Sequence, residues 1–137
     1  TDRNLEAQAL SSRLAANVPE RDFLLVGGDF NTADAAEDAL STLAPRAGNP
    51  LGLPHDQAGN TGTNGNRNKP YDHVLASMCL TRNQIPVRVG SGAFDAGLVF
   101  DTRAYQPLSD LPSLDGGESG APNMQHMAVI KDFVIQP

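Results

Sequence analysis

The chain has no tryptophan, a single cysteine and few aromatic side chains, which make up 5% of its 137 residues. One cysteine excludes a disulfide within the chain, and the shortage of aromatic rings leaves the core to Leu, Val, Ile and Ala. Apolar runs are short, so no helix of this sequence is expected to span a membrane. Basic residues are scarce too, with 10 Lys and Arg against 16 Asp and Glu. The net charge of −6 disfavours binding to long nucleic acid through its phosphate backbone.

The composition is that of one globular domain with long loops. Hydrophobic residues make up 39% of the chain and charged residues 19%, which excludes disorder along its whole length. The 13 glycines and 10 prolines predict long irregular connections. Cys79 lies in an apolar stretch, where a small buried thiol is expected. The first residue is Thr1 and no signal-peptide pattern follows, so we expect a chain that is processed or cut from something longer, and its localisation stays open.

Two helices are predicted from apolar spacing and from end signals. Residues 3–16 carry an apolar stripe at helical spacing, with Asp2 as the N-cap. Residues 35–44 form the second helix, with Asp34 as the N-cap and Glu37 three residues later, in the capping-box position. A proline follows each segment where the helix must end.

Short apolar segments predict five strands, at residues 23–26, 71–76, 85–89, 97–100 and 127–135. The first is a continuous apolar run that ends in two glycines, which favours a strand buried on both faces. Segments 45–69 and 101–123 are irregular, and a loop as long as the first is usually functional or disordered. The order of helix, strand, helix and then several strands indicates an α/β or α+β layered domain.

The strongest local signal follows the first strand, where the sequence reads Gly27-Gly28-Asp29-Phe30-Asn31. Glycines at a strand end allow tight turning and close approach of a ligand to the backbone. A carboxylate can orient a water molecule or hold a cation, and a carboxamide can donate to a phosphoryl oxygen without carrying charge. The same residues also suit a plain strand-to-helix turn, in which Asp29 or Asn31 satisfies backbone donors.

Two further signals are polar residues in segments that are otherwise apolar. Asp72 and His73 are neighbours in one strand and point to opposite faces of the sheet, so they are not a dyad with each other. His126 enters the last strand from a loop, which places it well for a cleft at a sheet end. Each of these residues, taken alone, is more often a satisfied or solvated strand residue.

In this order and context, the three signals resemble the C-terminal half of the endonuclease/exonuclease/phosphatase superfamily. That superfamily includes DNase I-like nucleases, abasic-site endonucleases, neutral sphingomyelinases and inositol polyphosphate phosphatases. Its pattern is a strand ending in Gly-Asp-Phe-Asn, a strand that carries an Asp, and Ser-Asp-His ahead of the last strand. The corresponding segments here are 28–31, 71–74 and 124–126, and Thr61 and Thr63 also match a threonine that is frequent in the family.

The resemblance implies a fold in the α/β (α+β) class: half of a four-layer αββα DNase I-like sandwich, with one mixed sheet and helices on one face. Residues 1–137 would be the C-terminal portion of the domain, and its N-terminal half would be absent. The inner face of the sheet would then be apolar and exposed. We therefore expect this face to pair with the missing half or to form a homodimer.

The resemblance also implies a role for each matching residue. Asp29 would orient or activate the attacking water and contact the metal. Asn31 would donate to the phosphate, and His126 would contact it as a general acid/base or an electrostatic stabiliser, so both bind substrate as well as act in catalysis. Asp72 would hydrogen-bond His126, fixing its tautomer and raising its pKa. His73 stands at a variable position of the family and has no assigned role.

The last motif departs from the family at its acidic residue. Gln125 stands where the family has a metal-binding Asp, and Met124 stands where Ser is usual. A neutral amide is a weaker ligand for Mg²⁺ than a carboxylate. The metal ligands expected in this chain are therefore Asp29 and Gln125, with Mg²⁺ or Mn²⁺ held weakly, differently or not at all.

The function that the resemblance implies is metal-dependent hydrolysis of a phosphodiester or a phosphomonoester. The main metal carboxylate and a further catalytic histidine belong to the missing half, so the isolated chain is expected to be inactive or nearly so. One alternative is a non-catalytic relative that uses the fold for binding or scaffolding, with Gln125 marking the loss of metal. A second is an unrelated α/β domain whose motifs match by chance. The substrate stays open among nucleic acid, lipid, inositol phosphate and other phosphate esters.

Overall fold

A computed structural model describes residues 1–135, which form three α-helices, two short 3₁₀ helices and eight short strands. The α-helices are α1 (Asp2–Asn17), α2 (Asp38–Leu43) and α3 (Met78–Thr81), and the 3₁₀ helices are Leu108–Asp110 and Glu118–Gly120. The strands are β1 (Leu25–Asp29), β2 (Asp72–Ala76), β3 (Gln84–Ile85), β4 (Val87–Val89), β5 (Gly92–Phe94), β6 (Leu98–Phe100), β7 (Ala128–Ile130) and β8 (Asp132–Phe133). This mixture of elements confirms the α+β class. None of the helices in the described part is long and apolar enough to cross a membrane.

Both predicted helices form, but their N-termini differ from the prediction. The N-cap of α1 is Thr1, and Asp2 is the first helical residue. α2 is shorter than the predicted segment 35–44, because the carboxylate of Asp34 closes a turn ahead of the helix. Glu37 is therefore the N-cap of α2, and the assignment of Asp34 to that position is wrong.

Within residues 1–135 the strands pair two by two and not in one mixed sheet, so the prediction of a mixed sheet is wrong. The four pairs, all antiparallel, are β1–β2, β3–β8, β4–β5 and β6–β7. Pro86 has no N–H to give to a ladder and divides the predicted strand 85–89 into β3 and β4, which pair with different partners. The predicted strand 127–135 is likewise divided at Lys131, whose ammonium group donates to the side chain of Asn49 at 2.6 Å.

One face of the β1–β2 pair packs against α1 and α2. The buried side chains of this core come from both helices, from β2 and from the turn after α2; they are Ala7, Ala39, Leu43, Ala47 and Leu75. Leu24, Val26 and Phe30 pack against them from β1 and its flanks. Because side chains alternate along a strand, Leu25 and Asp29 lie on the opposite face of the pair.

β1 is not buried on both faces, which corrects the prediction for this strand. Leu25 is 51% exposed, and Gly27, Gly28 and Asp29 are exposed as well. Within residues 1–135 the strand pairs only with β2, so its other edge carries no neighbouring strand. Other exposed apolar side chains include Phe23, just ahead of β1, and Ile85, Ile130, Val134 and Ile135.

A second, smaller core lies among the short strands β4, β5 and β6. Its buried members are Val87, Phe94 and Leu98, and Phe100 packs against them. Cys79 belongs to neither core. It lies half-buried in α3, so the expectation of a buried thiol is wrong.

Arg67 organises the long segment between α2 and β2, in which the described structure has no helix or strand of its own. The guanidinium group pairs with Asp56 at 2.7 Å and with Asp101 at 2.8 Å, and both carboxylates are buried. Arg103 completes the network, at 2.8 Å from Asp101. The loop predicted to be functional or disordered is therefore ordered, and partly buried charges hold it in place.

Candidate functional site

Strand pairing places two carboxylates side by side. In the antiparallel register of the β1–β2 pair, Asp29 at the end of β1 lies opposite Asp72 at the start of β2. Paired residues point to the same face, which here is the face turned away from α1 and α2. The Phe30 N–H donates to the carbonyl of Tyr71 at 2.7 Å and continues the pairing beyond the strand ends. The position of both carboxylates is thus fixed by the backbone.

Thr63, in the loop ordered by Arg67, brings His126 to the same place. The carbonyl of Thr63 accepts a hydrogen bond from the Met127 N–H at 2.7 Å, and Asn64 forms an isolated β-bridge with His126. The hydroxyl of Thr63 accepts a hydrogen bond from the N–H of Asp72 at 2.8 Å. Buried Thr63 therefore fastens the segment that carries His126 to the strand that carries Asp72.

Asp29, Asp72 and His126 converge, and each offers one ligand atom within 4.8 Å of the others. Nδ1 of His126 is hydrogen-bonded to Asp72, at 3.0 Å from Oδ2 and 3.2 Å from Oδ1. Nε2 of His126 lies 4.0 Å from Oδ2 of Asp29. An oxygen atom to one side of the line between Nε2 and Oδ2 could lie within hydrogen-bonding distance of both.

The hydrogen bond with Asp72 raises the pKa of His126. Desolvation opposes this effect, and the negative charges of Asp72 and Asp29 add to it. A histidine whose pKa is raised in the folded state stabilises the fold below its ordinary pKa of 6.5 and loses that contribution as the pH rises through the folded pKa. Because Asp72 engages Nδ1, Nε2 is the nitrogen that faces a ligand.

Asn31, two residues after Asp29, donates two hydrogen bonds to the carboxylate of Asp29. Its backbone has a positive φ of 52°, a conformation that Asn tolerates better than most residues. The backbone N–H donates to Oδ1 of Asp29 at 2.8 Å, and the side-chain amide donates to Oδ2 at 3.0 Å. One amide hydrogen of Asn31 is left over for another acceptor.

His73 lies on the opposite face from Asp72, as the alternation of the strand predicts. It is buried, and Nε2 is 2.8 Å from the hydroxyl of Thr32, which itself donates to the carbonyl of Pro70. Burial lowers the pKa of His73, and its hydrogen bonding and the charge of Asp72 do not overcome that effect. His73 is therefore a neutral residue that joins the turn after β1 to the turn before β2. The histidine that lies beside Asp29 and Asp72 is His126.

Gln125 precedes His126 directly and is exposed. Its assignment as a metal ligand stays a prediction. The ion pairs of Arg67 and the hydrogen bonds of Thr32 were not predicted from the sequence. Arg67 pairs with carboxylates that are 11 and 34 residues away, and no local pattern links such positions.

The donor set of the cluster fits a divalent cation. Two carboxylates offer the hard oxygen ligands that Mg²⁺ and Mn²⁺ prefer, and Mn²⁺ also accepts an imidazole nitrogen. Asp29 is the more exposed carboxylate and keeps lone pairs beyond its two hydrogen bonds from Asn31. Asp72 is committed to His126, an arrangement in which a carboxylate orients a histidine and raises its basicity.

Replacing Thr63 with Val removes the acceptor that faces the N–H of Asp72 and keeps the shape of the side chain. We expect the free energy of unfolding to fall by about 1–3 kcal/mol, because a partly buried N–H loses its partner. We also expect the pKa of His126 to fall toward its ordinary value as its contact with Asp72 loosens. Urea unfolding and an NMR titration of the imidazole would measure the two effects.

Thr63→Ser is the matched control for that change, because it keeps the hydroxyl group. It should leave the pKa of His126 raised, and the buried His73 should serve as an internal reference in both variants. Equal histidine titration in the Val and Ser variants would contradict the role given to the hydroxyl of Thr63.

No protein-family model, no curated protein and no solved structure matches the chain.

Proposed function

We propose that this chain is the C-terminal half of a metal-dependent phosphoesterase domain that hydrolyses a phosphodiester or a phosphomonoester. The observation that carries the proposal is the convergence of Asp29, Asp72 and His126 from three separate parts of the sequence. These are the residues to which the motif resemblance gives catalytic roles. A chance match of short motifs gives no reason for their side chains to meet at one point.

In the proposed reaction, His126 acts on the phosphate through Nε2. Asp72 holds Nδ1, and the raised pKa keeps a larger fraction of the imidazole protonated near neutral pH. His126 can then donate a hydrogen bond or a proton to a phosphoryl oxygen. Asp29, 4.0 Å from Nε2, orients the attacking water by accepting its hydrogen bond. The spare amide hydrogen of Asn31 stabilises charge that develops on the phosphate.

Asp29 is the residue that would hold Mg²⁺ or Mn²⁺, with Gln125 as the neutral ligand proposed beside it. When bound, the cation supplies Lewis-acid stabilisation of the negative charge on the phosphate. The resemblance places further ligands in a first half of the domain, outside these 137 residues. We therefore propose weak metal binding and little or no turnover for this chain alone.

Manganese binding is testable on the chain itself. We expect Mn²⁺, a paramagnetic ion, to broaden the NMR signals of His126 and of the amides at Asp29 and Asp72 before any others. Asp29→Asn should weaken this response about tenfold or more, because a charged oxygen ligand becomes neutral. Asp95→Asn, at an exposed carboxylate elsewhere, is the control. Broadening that is spread evenly over the acidic surface, or unaffected by Asp29→Asn, would argue against the metal site.

Hydrolysis is tested with a generic aryl phosphodiester in the presence of Mg²⁺ or Mn²⁺. We expect turnover in a longer protein that contains this chain, and its loss in His126→Ala. Metal-dependent turnover by the 137-residue chain, abolished by the same substitution, would support the function and overturn the proposal of a half-site. Absence of turnover in the longer protein would overturn the function.

The exposed edge and outer face of β1 are the surface proposed for the missing half. Leu25 is exposed on this face, and within the described residues no strand covers the outer edge. A homodimer through the same surface is the alternative partner. Sedimentation of the isolated chain distinguishes these two partners. A chain whose surface binds only the missing half stays monomeric, whereas a chain that pairs with itself sediments as a dimer as its concentration rises.

A second candidate function is a binding or scaffolding module that has lost catalysis. Gln125 favours this reading, because it replaces the acidic residue expected beside His126 with a neutral amide. The two functions differ in their need for metal. Gln125→Asp should raise Mn²⁺ affinity if the position faces the ion, and should leave it unchanged in a module without a metal site.

A further inference from the structure

Three of the chain's ten basic residues line a cavity of about 360 Å³ at the far end of the β1–β2 pair. They are Arg21, from the turn after α1, Arg46, from the turn after α2, and Arg82, at the end of α3. The cavity and the Asp29 cluster lie at opposite ends of β1, about 13 Å apart at roughly 3.3 Å per residue. This cavity is separate from the cluster already described.

Arg46 is the least satisfied polar side chain of the described residues. Its side chain is 11% exposed, and its buried Nε has no hydrogen-bond partner within residues 1–135. Nη2 donates to the carbonyl of Val18. Nη1 lies 3.7 Å from Glu20, whose side chain is 93% exposed, so this contact is loose. A guanidinium carries five N–H donors, and burying them without acceptors is costly. Because Nε is closed to solvent, an anion in the cavity would meet Arg46 through Nη1.

We propose that this arginine cavity binds the phosphate group of a small molecule or free phosphate. A guanidinium presents a planar pair of donors that matches the oxygen atoms of phosphate, and a tetrahedral anion can accept from more than one arginine at once. The carboxylates of Glu20 and Asp22 also line the cavity and leave a small positive excess. That balance favours one compact anion over an extended polyanion such as nucleic acid.

The volume of the cavity exceeds the needs of a bare phosphate and leaves space for a small attached group. Met78 and Leu24 contribute apolar surface to the wall of the cavity. The proposal does not depend on hydrolysis at the Asp29 cluster, because the two sites share no residue.

The test is an NMR titration of the 137-residue chain with sodium phosphate at constant ionic strength, with sodium chloride as the salt control. We expect saturable shifts of the Arg46 Nε–H signal and of the amides of Ser77 and Arg82. Arg82→Ser should weaken binding about tenfold, the effect of losing a hydrogen bond to a charged group. Arg82 is exposed, so this variant should keep the fold. Arg88→Ser, at an exposed arginine of β4, should bind as the parent chain does.

Glu20→Gln should change the phosphate affinity in the direction opposite to Arg82→Ser. The Glu20 carboxylate is the anion nearest to Arg46, so its removal should tighten phosphate binding several-fold. A stronger response to glycerol phosphate than to inorganic phosphate would assign a phosphomonoester as the ligand, and the reverse would assign free phosphate. Chemical-shift changes with phosphate that are no larger than those with chloride would overturn the proposal. Equal phosphate affinities of the Arg82 and Arg88 variants would overturn it too. Shifts confined to Asp29 and His126 would overturn it as well and would point to the other cluster.

Discussion

Replacement of Arg67 with Met should lower the free energy of unfolding by roughly 3–5 kcal/mol, because the change leaves two buried carboxylates without their shared cation. Asp101 is 3% exposed, and Asp56 is nearly as buried. Arg67 has a positive φ of 58°, and Met is no more strained there than Arg, so the substitution adds no backbone cost. It removes the two ion pairs together with the hydrogen bond from Nε to the carbonyl of Gly62 at 2.7 Å. Urea unfolding monitored by circular dichroism measures the loss.

Arg103→Met is the control for this prediction. Arg103 also pairs with Asp101, but its side chain is more exposed, so we expect a loss of about 1 kcal/mol. The Arg67 variant should in addition lower the pKa of His126, because Thr63 belongs to the loop that Arg67 orders. A similar loss in free energy of unfolding in the two arginine variants would contradict this account of the loop. An unchanged pKa of His126 in the Arg67 variant would contradict it as well.

The same network predicts a loss of stability in acid. Burial by itself would raise the pKa of Asp101, but hydrogen bonds from Arg103 and Arg67 outweigh it and hold the pKa at about 2. A depressed carboxylate pKa stabilises the fold above the unfolded value of 3.8, and this contribution, about 2 kcal/mol, is lost as the pH falls toward 2. In Arg67→Met, the free energy of unfolding should fall less between pH 3.8 and about 2 than it does in the parent chain.

Asp72→Asn should lower the pKa of His126 and reduce the proposed hydrolysis by about 10²–10⁴-fold. The amide keeps the shape of Asp72 but withdraws the negative charge and the strong acceptor that hold Nδ1 of His126. The pH profile should change with the rate, because less of the imidazole is protonated at neutral pH. The measurements are an imidazole NMR titration of this chain and metal-dependent turnover of the longer protein.

Asp34→Asn is a suitable control, since this exposed carboxylate also closes a local turn but lies outside the cluster. It should change neither the titration of His126 nor the rate. An unchanged pKa of His126 in Asp72→Asn would show that the hydrogen bond with Asp72 does not set that pKa. A shifted pKa with an unchanged rate would separate the pair from catalysis.

The sequence predicted the elements that carry their own local signals. The stripe of α1 and the proline after it fixed that helix within a residue or two, and the alternation along β2 correctly separated Asp72 from His73. The expectation that Asp72 meets His126 came from the resemblance, and these side chains do lie in contact. Their actual meeting depends on Thr63, through hydrogen bonds that no spacing rule contains.

Long-range features escaped prediction because their energetic causes are distant in sequence. The division of strand 85–89 follows from Pro86, but the choice of β8 and β5 as separate partners depends on the whole fold. The burial of β1 was overestimated because a continuous apolar run indicates burial only if both faces have something to pack against. The order of the loop around Arg67, predicted to be functional or disordered, could not be foreseen, because the carboxylates that stabilise it lie outside it or far along it.

The three side chains of the polar cluster do not share one support. Asp29 and Asp72 sit opposite each other in a single ladder, so a motion of the β1–β2 pair carries both carboxylates together and preserves their separation. His126 reaches them from a different strand pair through the Thr63 segment. A displacement of the Thr63 segment would therefore change the distance from the imidazole to the two carboxylates more than the distance between the carboxylates.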